Sequence, residues 1–116
     1  MGKVSIKTRR EIDLMKESCR IVAEVLALVG SRIRPGVPTR ELDELAEDWI
    51  RSRDAEPAFK GYGHDKNNLF PATLCISIDD EVVHGIPDGR LLAEGQAVSV
   101  DVGVKKAGYF GDGART

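Results

Sequence analysis

No apolar run in these 116 residues approaches the roughly 18 needed to cross a bilayer. The opening stretch, MGKVSIKTRRE, has charges but no apolar core after it, so no secretion signal is read there. Cysteine is scarce. Cys19 and Cys75 stand far apart with no CxxC spacing, and two such residues without a signal point to reduced thiols in a cytoplasmic protein. A surplus of positive charge is also missing. The net charge is −2, so nothing suggests a general affinity for nucleic acid or for anionic membranes. There is no internal repeat and no low-complexity tract. A chain of 116 residues is expected to form a single domain, here taken as 1–116.

What is present divides into two textures. The first half reads as helix. Thr8-Arg9-Arg10-Glu11 fits a capping box, and Ile12, Met15, Cys19, Val22, Val25, Leu26 and Val29 then recur at three- and four-residue steps. That stripe predicts one long helix ending near Arg34-Pro35-Gly36. Pro38-Thr39 opens a second, with Leu42, Leu45, Trp49 and Ile50 as its buried side and Glu41, Asp43 and Glu44 suited to its N-terminal dipole. It fades near Asp54 to Pro57.

The second half reads as loop and strand. FKGYGHDKNNLFPATL is rich in Gly and Asn and predicts a long loop. LCISID is a short strand, EVVHGIPDGRLLAEGQ mixes strand, turn and loop, and AVSVDVGV followed by AGYFGDGART predicts a hairpin. The order is two helices, then an antiparallel sheet: an α+β fold. The last strand runs to Thr116 with nothing to cap it, so an interruption is expected there. Acidic residues gather in this half. Residues 1–60 hold 12 Lys/Arg against 11 Asp/Glu, and residues 61–116 hold 5 against 8.

Two of those acids sit oddly. In AVSVDVGV the valines share one face, and Asp101 lies on the other. A turn centred on Lys106-Ala107 sets Asp101 directly opposite Asp112; a turn centred on Ala107-Gly108 makes them diagonal neighbours. Either register puts both carboxylates on one face, where like charges repel. One must hold its proton, or a cation must sit between them. Gly103, Gly111 and Gly113 are expected to leave room for that cation, and carboxylate oxygens are hard ligands for divalent metals. Asp112, in Gly-Asp-Gly, also reads as a plain turn residue. His84, between Val83 and Gly85, reads either as a hydrogen-bonded structural group or as a catalyst. His64 reads as solvated, and Cys75 as a small buried apolar group.

Taken in order, Phe70-Pro71, Cys75-Ile76-Ser77-Ile78, His84-Gly85-Ile86-Pro87-Asp88, Leu92 to Gly95, Val100-Asp101-Val102-Gly103, Gly108-Tyr109 and Gly111-Asp112 resemble the type I methionine aminopeptidases. Arg34-Pro35-Gly36 and Thr39 fit as well. The resemblance implies half of a pita-bread fold, the first half of that family's catalytic domain. It implies a dinuclear-metal hydrolase that removes the initiator Met from nascent chains. Asp101 and Asp112 match the family's first two metal ligands, and His84 matches a histidine that hydrogen-bonds substrate near the scissile bond. Tyr62, Phe70 and Cys75 fall where the methionine side-chain pocket is lined. The implied cofactors are two divalent ions per complete site, with manganese, iron, cobalt and zinc all suited by ligand type.

The sequence departs from the family in several places. Members are about twice as long, and one histidine ligand, two glutamate ligands and a second catalytic histidine lie in the part not matched here. The loop 63–69 is longer than usual, Asp79 replaces a usual Asn, and Gln96 replaces an Asp. A chain with two of five ligands is expected to show little or no activity alone. Its partners are then the N-terminal Met of peptides and a second copy of itself, with no nucleic acid and no membrane. The alternatives are a non-catalytic homodimeric half-domain or interaction module, or another pita-bread hydrolase such as a proline-specific aminopeptidase.

Overall fold

The computed structural model describes residues 8–61, 69–79 and 85–116. Helix α1 spans Arg9–Arg32 and begins with the expected capping box: Thr8 accepts from the Glu11 amide while Glu11 accepts from the Thr8 amide. It ends at Ile33, two residues before Pro35. Helix α2 spans Thr39–Ser52. Four strands follow: β1 (Glu56–Pro57), β2 (Leu74–Ile78), β3 (Val98–Lys106) and β4 (Tyr109–Arg115).

Strand β3 organises the sheet. β4 runs antiparallel along one edge of it, and β1 and β2 share the other edge in tandem, β2 against residues 98–102 and β1 against 104–105. β1 was not predicted. With two residues it has no period to read, and it forms where Glu56 and Pro57 pair with Lys105 and Val104 and Ala58 N–H donates to Gly103 O, 2.9 Å away.

The valine side of β3 faces the helices. Val100, Val102 and Val104 are buried with Leu74 and Ile76 of β2, Ile21, Val22, Val25 and Val29 of α1, and Leu42, Ala46 and Ile50 of α2. Two expected positions shift by one residue. Ser18, not Cys19, is buried on α1, because its hydroxyl donates to Tyr109 O at 2.8 Å and β4 lies hard against that turn; Cys19 is exposed. Thr39 and Ala46 are buried on α2, while Leu45 and Trp49 are half-buried at the edge, Trp49 donating through Nε1 to Glu24.

Candidate active site

The β3–β4 turn decides how the two aspartates meet. Lys106 pairs with Tyr109, so the loop is Ala107-Gly108. Both residues have positive φ, 52° and 84°, the type I′ geometry whose twist suits a hairpin. This is the second of the two registers considered. Asp112 stands opposite Gly103, and Asp101 opposite Ala114, so the aspartates are diagonal neighbours on one face. Diagonal partners lie about 7–8 Å apart, within reach of one ion or an ion pair.

That face is turned away from the helices and forms the floor of a cavity of about 860 Å3. Asp101 is half-buried in it and Asp112 is exposed at its rim. Cys75 pairs with Asp101 across β2 and β3 and shares the same cavity, as does Phe70. So four of the six residues singled out in the sequence come together: Phe70, Cys75, Asp101 and Asp112. Tyr62 and His84 lie outside the described residues, as does His64.

The glycines do a different job from the one expected. Gly111 and Gly113 sit on the helix side. A Cβ on Gly111 would stand 2.9 Å from the Cys19 backbone nitrogen, and one on Gly113 2.8 Å from Val22 Cγ1. They let α1 approach β4. Gly103 does lie on the carboxylate face, but its space is filled by the Phe59 ring, 2.8 Å from where its Cβ would be. The room around the carboxylates comes from the cavity itself.

Sequence reasoning missed Phe59, Leu69 and Phe110 as cavity walls. Phe59 packs edge-on against Phe70, with centroids 6.4 Å apart and planes at 87°. Phe110 was findable, because the alternation that pairs the aspartates also places residue 110 beside 112. Phe59 follows the short β1 and leaves no periodic signal.

Helix α2 sets the start of β2. The Asp43 carboxylate accepts from Thr73 N–H at 2.9 Å and Leu74 N–H at 2.7 Å, immediately before Cys75. Burial pushes the Asp43 carboxyl above its ordinary pKa, partly opposed by those amides. Next to it, Glu47 is held below its ordinary pKa, chiefly by a 2.7 Å hydrogen bond from Lys60.

Two carboxylates over a recess suit a hard divalent cation. They are an incomplete set, since among the described residues no three His, Cys, Asp or Glu side chains converge. Helices on one sheet face and a carboxylate pair over an apolar cavity on the other make up half of a pita-bread fold. The chain belongs to metallopeptidase family M24, whose profile matches residues 13–116, and divalent-metal use is a property of that family. It is 47% identical over 114 residues to the methionine aminopeptidase of Clostridium acetobutylicum, covering 97% of this chain and 44% of that one. The methionine aminopeptidase of Thermotoga maritima superposes with a TM-score of 0.88 at 37% identity, over 97% of this chain and 43% of that chain. The prolidase of Pyrococcus furiosus, at 23% identity and a TM-score of 0.77, shares the fold. The chain thus spans less than half the length of the curated relatives it matches.

Proposed function

We propose that this chain supplies the first half of a methionine aminopeptidase site, with residues 1–116 forming one domain. The observation that carries the reading is the placement of Asp101 and Asp112 on one face, above a cavity walled by Phe59, Phe70, Cys75 and Ile86. Asp101 and Asp112 would hold the metal. Divalent ions such as manganese, iron, cobalt or zinc, two per complete site, would supply Lewis-acid polarisation of the scissile carbonyl and acidify water. Phe59, Phe70 and Cys75 would receive an unbranched thioether side chain, for which an apolar, polarisable lining is well matched. Tyr62 and His84 lie outside the described residues; by the family resemblance Tyr62 would belong to the methionine pocket and His84 would hydrogen-bond substrate near the scissile bond. The substrate is the N-terminal Met of a peptide or nascent protein. Two carboxylates do not fill the coordination of a hydrolytic metal, so the 116-residue chain alone has little or no peptidase activity. Cys19 and Cys75 form no disulfide among the described residues, in keeping with a cytoplasmic setting.

Calorimetric titration with manganese tests the metal assignment. Saturable binding that disappears in both Asp101→Asn and Asp112→Asn is expected; unchanged binding in those variants would contradict it. A homodimer is the second reading, favoured by the exposure of Leu69, Ile86 and Phe110 (39%, 48% and 59%) around the cavity. Native mass spectrometry with and without manganese separates the two: a manganese-loaded dimer supports it, and a monomer in both conditions refutes it.

A further inference from the structure

Helix α2 starts without a side-chain cap, since its N-cap is Pro38. A distant segment satisfies its first amides. Thr39 N–H donates to Arg90 O at 3.1 Å and Arg40 N–H to Asp88 O at 2.8 Å. Just before the helix, Leu92 N–H donates to Val37 O at 2.9 Å and Gly36 N–H to Leu92 O at 2.7 Å. The wholly buried Thr39 adds its side chain: Oγ1 accepts from Asp88 N–H at 2.8 Å and donates to Asp88 O at 3.1 Å. Residues 88–92 are thereby fastened to the start of α2.

The other end of this strap is fastened to the sheet. Gly85 O accepts from Ile76 N–H at 2.9 Å, and a Cβ on Gly85 would stand 1.7 Å from Ile76 O, a position open only to glycine. Between the two anchors lie Ile86 and Pro87, and proline's fixed φ removes one of the few free torsions. Ile86 lines the same cavity as Cys75, which adjoins the anchor residue Ile76.

We propose that Thr39 is a positioning residue for the cavity: its buried hydroxyl clasps Asp88 and so holds Ile86 as a wall beside Cys75. The clasp would set the cavity's width, and with it the preference for an unbranched apolar side chain. That last step rests on reading the cavity as a methionine pocket; the clasp does not.

The test is the alkylation rate of Cys75 by iodoacetamide, measured in a Cys19→Ser background so that one thiol remains. Thr39→Val keeps the shape and removes the hydroxyl. It is expected to speed labelling about 5- to 30-fold, the change that follows loss of one or two buried hydrogen bonds. Thr39→Ser should restore the parent rate. Ile86→Ala should itself speed labelling and make Thr39→Val nearly without further effect, because both act through one wall. Val29→Ala, a core change on α1 at a residue outside the strap, should lower the melting temperature and leave the rate alone. A parent-like rate in Thr39→Val, or an equal rise in Val29→Ala, overturns the proposal. If Thr39→Val does not fold, amide exchange in the parent decides: Ile76, Asp88 and Leu92 opening together supports the strap, and independent opening refutes it. Methionine amide reports on the pocket separately. If it fails to slow Cys75 labelling while the Thr39→Val effect stands, the methionine reading falls and the clasp holds.

Discussion

Replacing Asp43 with alanine tests how far the cavity depends on a group outside it. The carboxylate accepts from Thr73 N–H and Leu74 N–H, both in residues with no exposed surface. Alanine leaves both amides without an acceptor. An unsatisfied buried donor costs about 1–3 kcal/mol, and two adjoining ones about 2–4 kcal/mol once water reaches the half-buried gap. For a domain with a total stability of about 5–15 kcal/mol this is a large share, and it lowers the melting temperature by about 8–16 °C. Urea unfolding followed by Trp49 fluorescence reads it, since Trp49 bridges the helices through Glu24. Asp43→Asn adds a pH signature. Burial raises the folded-state pKa of Asp43, so stability from this group is full below its unfolded pKa and is lost as pH rises through the raised value. Asparagine does not titrate, so the deficit of Asp43→Asn relative to the parent should shrink as pH rises above the ordinary aspartate value of about 3.9. A loss below about 1 kcal/mol in Asp43→Ala, or a deficit in Asp43→Asn that grows with pH, would refute the reasoning.

Two further changes test the geometry of the hairpin. Gly111→Ala should destabilise by about 1–3 kcal/mol in thermal unfolding, because its Cβ would meet the backbone of Ser18 and Cys19 rather than a movable side chain. Ala107→Asn should stabilise by about 0.5–1 kcal/mol, since Ala107 holds φ at 52° in a type I′ turn that favours Asn-Gly; a neutral or destabilising result would argue against that turn.

These residues also show where the sequence was legible. The capping box at Thr8 and Glu11, the two helical stripes and the period-2 strand are local patterns, and each element forms where its pattern directs, although Ile12 and Cys19 of the first stripe are exposed. The shared face of Asp101 and Asp112 follows from alternation in any two-residue register. The choice of register depended on Gly108 taking the second turn position. Less was legible where two distant segments meet. Whether Ser18 or Cys19 is buried depends on Tyr109 O lying 2.8 Å away, and the role of Gly111 depends on α1 closing over β4. The strap of residues 85–92 has no periodicity at all. Its bonds run to the start of α2 and to β2, so only the assembled fold reveals what it holds.

The central claim is that Asp101 and Asp112 form a metal-binding pair above the cavity. Manganese-induced broadening of amide NMR signals tests it most directly, because the effect falls steeply with distance from the ion. The account predicts that substoichiometric manganese erases first the signals of residues around Asp101, Gly103 and Asp112 and of Cys75 across the strand pair. The acidic surface of α2, including Glu44 and Asp48, should be untouched. Broadening centred on α2, or spread evenly over all exposed carboxylates, would contradict it.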